Sequence, residues 1–370
     1  PTFTDLPYQT LSINLHPERS EVFLLEQKNI IQINYLQQSK QAPLMFIIPG
    51  VGGTGTGAVM DTLAGQMYSA GYHVIALPNP LSWVFSLGVA SHGVTGYLTW
   101  DAKDLYNLMQ NTVANLKDLN VQITGYSVMG FSLGAGLLPE LVHVDNKEGV
   151  YSFKKIIMLN PPIDFGRGIN ILDSYYSIGK NWTEEQKSFV MGYIYNFAGT
   201  ILNNKNKKLM DLLPQFSLSA NQQRYVIGSV YRDSLADIIF TLELLLNEHY
   251  LKSEISWGQR TPRMVEAKSF SYEKYLKQIL LPKVNKSLNK KMSYEEAVSL
   301  YNLKSHEDEF KKDTRYYVFH NKNDFLLAKN DVSFLENTFG NNAFIFPLGG
   351  HCGNYSFPVN KSILESIVRN

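Results

Sequence analysis

The stretch Val121 to Leu138, VQITGYSVMGFSLGAGLL, constrains the rest of the chain most strongly. An apolar run stops at a glycine-flanked serine and restarts as small and aliphatic residues, and its centre, Gly130-Phe131-Ser132-Leu133-Gly134, fits G-x-S-x-G. In that pattern the serine sits on a turn too tight for side chains two places to either side, because a Cβ there would meet the strand or the following helix. Ile123 to Met129 reads as a buried strand and Leu133 to His143 as a helix, with Gly136 allowing close packing. That is the strand–turn–helix setting in which such a serine stands clear of a sheet. Ser127 is the rival, but its downstream glycine lies three residues on instead of two. The plainer reading of Ser132 is a small residue at an ordinary turn.

A chain of 370 residues, 44% hydrophobic and 18% charged, is long enough to bury a large core and longer than one simple domain usually runs. One domain with a big insertion, or two domains, is expected. The net charge of +1 exerts no general pull toward nucleic acid, and the lysines are scattered apart from Lys205, Lys207 and Lys208. No nucleic-acid partner is expected. The single cysteine, Cys352, excludes an internal disulfide and a cysteine-based zinc site. Pro49 breaks the best early apolar run, and Glu243 and Asn247 interrupt the best late one, so no stretch of about 18 apolar residues forms a transmembrane segment. A soluble protein is expected. The sequence starts at Pro1 with no charged-then-apolar leader, as a trimmed chain would, and both an exported, periplasmic location and the cytoplasm fit.

In chain order, strand patterns around Leu11–Leu15 and Ile30–Leu36 flank the polar stretch His16–Glu21 and suggest an antiparallel lead-in. Leu44–Ile48 is fully apolar, as a central parallel strand is, and runs into Pro49-Gly50-Val51-Gly52-Gly53-Thr54-Gly55. The loop formally satisfies G-x-G-x-x-G, but the next strand, His73–Leu77, ends in Pro78-Asn79-Pro80 and lacks the acidic residue that a dinucleotide site needs. Nor does Lys-Ser/Thr follow Gly55, as a P-loop requires. What remains is an oxyanion loop with the Val51 N–H turned into a site, or a plain glycine-rich strand–helix turn. A helix over Ala58–Ala70, a loop over Leu81–Tyr97 bordering the site, and a helix over Leu98–Lys117 complete the alternation that marks a parallel sheet with helices on both faces.

After the strand Lys155–Leu159 the pattern turns helical from Ile163 to about Thr314. Caps are legible at Thr183 with Gln186 opening Glu184–Leu202, at Ser234 opening Leu235–Leu251, and at Ser293 with Glu296 opening Tyr294–Leu303. Residues 163–312 are thus expected as an inserted, mainly helical cap or lid, with 1–162 and 313–370 forming the core. Strand pattern returns at Arg315–His320 and Ala343–Pro347, and a last helix near Lys361–Val368 is expected to close the sheet edge.

Asp324 follows the first of these strands and His351 the second, so the order along the chain is Ser132, Asp324, His351. With this order at strand ends, the sequence resembles the α/β-hydrolase superfamily over the sheet portions, roughly 40–162 and 313–370. The resemblance implies a serine nucleophile at Ser132, a general base at His351 and an orienting acid at Asp324. It also implies oxyanion donors at the N–H groups of Leu133 and Val51, with Gly50 and Gly52 beside them. Asp164, after the preceding strand, is an alternative acid. His320 reads as structural or as a partner behind the site, and Cys352 as a small packed residue. Where the family often has His-Gly, this chain has Pro49-Gly50, which leaves the exact donor open.

The set calls for neither a metal nor a cofactor. It suggests a carboxylic ester hydrolase acting on a small-molecule or lipid-like acyl substrate, with an apolar pocket under the helical block built by Phe189, Met191, Tyr193, Tyr195, Phe197 and the leucine-rich helix after Ser234. Its pH profile should have a limb near the histidine pKa, about 6 to 7. A peptidase, amidase or thioesterase with the same triad, or a binding protein on this fold, are the other readings, and the oligomeric state is open.

Overall fold

Apolar runs become strands wherever both of their faces can be covered. The computed structural model describes residues 6–19, 22, 29–203, 218–253 and 260–369. Its strands are β1 (Gln9–Ile13), β2 (Ile31–Leu36), β3 (Ala42–Ile48), β4 (His73–Ala76), β5 (Ile123–Phe131), β6 (Ile156–Leu159), β7 (Tyr316–Asn321) and β8 (Ala343–Phe346). They form one sheet in the order β1-β2-β4-β3-β5-β6-β7-β8. β2 pairs antiparallel with both β1 and β4, which is the expected lead-in, and the remaining pairs are parallel. The carboxyl ends of β3, β5, β6, β7 and β8 therefore lie along one edge, where open parallel sheets present ligand-binding loops.

Leu44 to Ile48 has no exposed surface. Alternate residues serve opposite layers: Leu44, Phe46 and Ile48 pack with Val128, Ile156 and Met158, whereas Met45 and Ile47 pack with Met129, Ile157 and Leu159. Burying each such side chain contributes about 1.5–3 kcal/mol, which is why a run with no polar alternation holds the centre of the sheet. Of the helices that follow β3, α1 (Ala58–Ser69) covers the second layer, and α2 (Trp83–Gly88) lies inside the stretch expected to be loop. α3 (Leu98–Asp118), α4 (Leu133–Gly136) and α5 (Leu138–Glu148) complete the core's middle part, α3 and α5 covering the first layer. Ser82 starts α2 by accepting from the Phe85 amide, a local cap that the aromatic and glycine content of the stretch masks.

The last helix, Pro358–Arg369, does not close the sheet edge. Its stripe of Leu364, Ile367 and Val368 packs into the α1 layer, and the Tyr72 hydroxyl donates to the Val368 carbonyl at 2.8 Å. An apolar stripe at that spacing needs a face to bury against, and an edge offers none.

Between β6 and β7 come α6 (Phe165–Ser177), α7 (Glu184–Asn203), α8 (Ala220–Leu246) and shorter helices, with no strand among the described residues. Thr183 and Gln186 cap α7 reciprocally, and Ser293 and Glu296 cap Tyr294–Ser299 in the same way. Ser234, by contrast, caps nothing. α8 opens at Ser219, boxed with Gln222, runs through Ser234, whose hydroxyl bonds back to the Val230 carbonyl, and stops at Asn247 in the left-handed conformation, before Tyr250 and Leu251. The lysines at 205, 207 and 208 lie outside the described residues. Phe310, near the end of the block, meets Tyr316 edge-on and stacks with Phe339 on the sheet side, so the last stretch before β7 packs with the core. No helix among the described residues is long and apolar enough to cross a membrane.

Candidate active site

Ser132 sits at the end of β5 with φ +54° and ψ −126°, a conformation that L-residues rarely adopt. Its amide donates to the Leu159 carbonyl at 2.9 Å, and its carbonyl accepts from Ala135 and Gly136 in the helical turn that follows. The glycines are required by close approach. A Cβ on Gly130 would strike the Gly134 carbonyl, and one on Gly134 would strike the carbonyls of Ile48 and Pro49 at the end of β3. Gly50 lies against the serine itself, where a Cβ would come within 2.9 Å of the Ser132 Cβ.

His351 follows β8 on a loop braced by amide side chains. Gly350 donates to Asn323 Oδ1 at 2.8 Å, its carbonyl accepts from Asn321 Nδ2 at 2.9 Å, and Asn354 Nδ2 donates to Asn321 Oδ1 at 2.7 Å. The imidazole is thereby set between the other two residues: Nε2 is 2.8 Å from Ser132 Oγ and Nδ1 is 2.8 Å from Asp324 Oδ2. Ser132 and Asp324 are 7% and 4% exposed, so these contacts are made largely out of water. Asp324 is fixed from behind, since Oδ1 accepts from the Leu326 amide at 3.0 Å and Oδ2 from Asn160 Nδ2 at 2.9 Å.

Electrostatics follow the contacts. Burial pushes the Asp324 carboxyl up, but the hydrogen bond from His351 outweighs it and the group lies below its ordinary value. Burial likewise works against charge on His351, yet the imidazole is raised well above its ordinary value, with Cys352 and the Asp324 carboxylate beside it.

The alternatives separate cleanly. Asp164 is the N-cap of α6, accepting from the Arg167 amide at 2.9 Å. His320 accepts the Asn321 amide at Nδ1 and uses Nε2 on the Pro161 carbonyl at 3.1 Å, which makes it a neutral, structural imidazole whose Nδ1 is 3.7 Å from Asp324 Oδ2. Burial lowers it further. Cys352 is a free thiol packed beside the α1 layer.

In the glycine loop the donors differ. Gly52 is withdrawn as an oxyanion donor because its amide is held by the Leu81 carbonyl at 2.7 Å, whereas among the described residues the amides of Val51 and Leu133 have no acceptor. Above Ser132 opens a pocket of about 630 Å³ of atom-free space, its mouth included. α6 supplies Phe165, Ile169 and Leu172, α8 supplies Tyr231, and Tyr275 and Leu276 are also among the lining residues. Among the described residues no α7 aromatic lines it: Phe189 and Tyr195 are exposed, and the Phe197 side chain lies outside the described residues. Met191 and Tyr193 pack instead against Val190, Leu218 and Tyr225, a cluster apart from the pocket, and the Phe189 and Tyr193 rings, one turn apart, meet each other.

Sequence reasoning also passed over Asn160 and Tyr231. Asn160 lies just beyond β6 with φ +47°, and nothing local to it in the sequence points to Asp324. Tyr231 precedes the point where α8 was thought to begin. Burial raises its hydroxyl, and the nearby His351 and Ser132 bias it the other way.

One reversed strand near the start, a parallel remainder, and a strained serine between β5 and α4 with an acid and a histidine after β7 and β8 decide the architecture. This is the α/β-hydrolase fold. No protein-family model and no curated protein matches the sequence. Among solved structures, the chain is similar to a thioesterase domain from the curacin biosynthetic pathway (13% identity, 98% of this chain and 99% of that one, TM-score 0.42). It is similar also to Est1E from Butyrivibrio proteoclasticus (11%, 97% and 97%, 0.41) and to an esterase from Pyrococcus furiosus (13%, 98% and 91%, 0.44). The strand order and the Ser132 turn carry the α/β-hydrolase fold without them.

Proposed function

We propose that this chain is a serine hydrolase of carboxylic esters with apolar acyl groups. The observation that carries the reading is the pair of 2.8 Å contacts that His351 makes, one to Ser132 Oγ and one to Asp324 Oδ2. A serine hydroxyl is a poor nucleophile at neutral pH; an imidazole at hydrogen-bond distance takes its proton as Oγ attacks the ester carbonyl. Asp324 holds the ring with Nδ1–H toward the carboxylate and offsets the charge that develops on it. The tetrahedral oxyanion lies between the N–H groups of Val51 and Leu133, the second at the start of α4. Collapse expels the alcohol, which receives the proton from His351 Nε2. Water then repeats the sequence on the acyl-enzyme.

The apolar walls from α6 and α8 fit an acyl chain or aromatic acid and offer no charged group to pair with an ionic substrate. In this reading residues 163–312 act as the cap of the site, with their last stretch anchored on the core. A series of nitrophenyl esters of increasing acyl length tests the reading. Turnover that rises beyond acetate and is lost on Ser132→Ala by on the order of 10⁶-fold in kcat supports it; equal turnover in the variant discards it.

A further inference from the structure

Three side chains that the triad does not use converge near the middle of α5. His143 belongs to α5, His306 ends the short turn Leu303–His306, and Glu309 lies in the helix Glu307–Lys312. His143 Nε2 and His306 Nδ1 face the same oxygen, Glu309 Oε2, at 2.8 and 3.3 Å, and the three atoms lie within 4.8 Å of one another. We propose that this His–His–Glu cluster binds one divalent transition-metal ion of the zinc type.

Donor chemistry selects the class of ion. Two imidazole nitrogens and one carboxylate oxygen suit zinc and its neighbours, whereas calcium and magnesium take oxygen shells. Zinc bonds of about 2.0–2.2 Å set tetrahedral ligands roughly 3.3–3.5 Å apart. The His306–Glu309 separation already meets that spacing, His143 stands about half an ångström too close to Glu309, and the two imidazole nitrogens, within 4.8 Å of each other, must come to the same spacing.

The surroundings are those of a ligand set held from outside. The Tyr316 hydroxyl donates to Glu309 Oε1 at 2.8 Å and leaves Oε2 to the imidazoles. Glu140 Oε1 stands 3.9 Å from His143 Nδ1, on the side of the ring away from Glu309, and Glu140 is itself fixed by Thr99. The Tyr316 hydroxyl bond is of the kind that orients a metal-ligating carboxylate, and Glu140 adds negative charge on the far side of the His143 ring. The His143 side chain is 41% exposed, which leaves a path for the ion and room for water as a fourth ligand.

The position gives the ion a task. α5 continues from the Ser132 turn, and Tyr316 opens β7, which leads to Asp324. A metal here braces the helix behind the serine against the strand that carries the acid, without touching substrate.

Metal-stripped protein titrated with zinc chloride by calorimetry, and with cobalt chloride by absorption, tests the proposal. One ion per chain, visible cobalt bands and a melting temperature that climbs with zinc concentration are expected. His143→Gln and His306→Gln should each weaken binding at least tenfold while keeping the near-ultraviolet circular dichroism of the parent chain. Absence of saturable zinc binding, either variant binding as the parent does, or calcium displacing cobalt at equal concentration overturns it.

Discussion

Asn160 donates from Nδ2 to Asp324 Oδ2 at 2.9 Å, the same oxygen that faces His351 Nδ1. Its own oxygen accepts from the Tyr355 hydroxyl at 2.8 Å, so the amide cannot turn away. The carboxylate is thus held by a second buried donor, and the imidazole by the carboxylate. Asn160→Ala removes that donor and places alanine at a positive φ. Stability should fall by about 1–3 kcal/mol, measured by denaturant unfolding, and kcat should drop with KM little changed.

The two candidate acids respond in opposite ways. Asp324→Asn leaves His351 in the wrong tautomer and should lower kcat by about 10⁴-fold. Asp164→Asn alters only the cap of α6 and should leave kcat within about twofold, because asparagine is an equally good cap. Steady-state kinetics on the two purified variants decides between them.

The pH profile should be displaced from that of a free imidazole. Catalysis needs neutral His351, and the folded protein raises the group above its ordinary 6.5. Protons bind as pH falls through that raised value, so the acid limb of kcat/KM should lie above pH 6.5. Asp324→Asn should move the limb of its residual activity downward. A parent limb at or below 6.5 contradicts this electrostatic reading.

Leu172 faces the pocket from α6 and is only half-buried, so a larger side chain fits without crowding the core. Leu172→Trp should cut kcat/KM for long acyl esters at least tenfold while leaving acetate esters nearly unaffected, since each methylene excluded from an apolar pocket costs about 1–3 kcal/mol. Equal losses across the ester series would place the acyl chain elsewhere.

Local signals were legible and long-range ones were not. Leu44–Ile48 and the Ser132 turn could be read because their demands are met within a few residues, by apolar continuity and by glycine. The start of α8 was misread because Ser234 sits beside the strongest apolar spacing, while the working cap, Ser219 with Gln222, precedes a polar first turn. Asn160 with Asp324, Gly52 with Leu81, and the meeting of His143, His306 and Glu309 depend on which strand ends and helix faces become neighbours, and that is a property of the sheet order.

The central claim is that the Ser132 hydroxyl is activated by His351. Treating the folded protein with a fluorophosphonate and mapping adducts by mass spectrometry tests it directly. The account predicts a single adduct on Ser132 that is lost in His351→Ala. A folded protein that takes no adduct, or takes it on Ser127 or another residue, would contradict it.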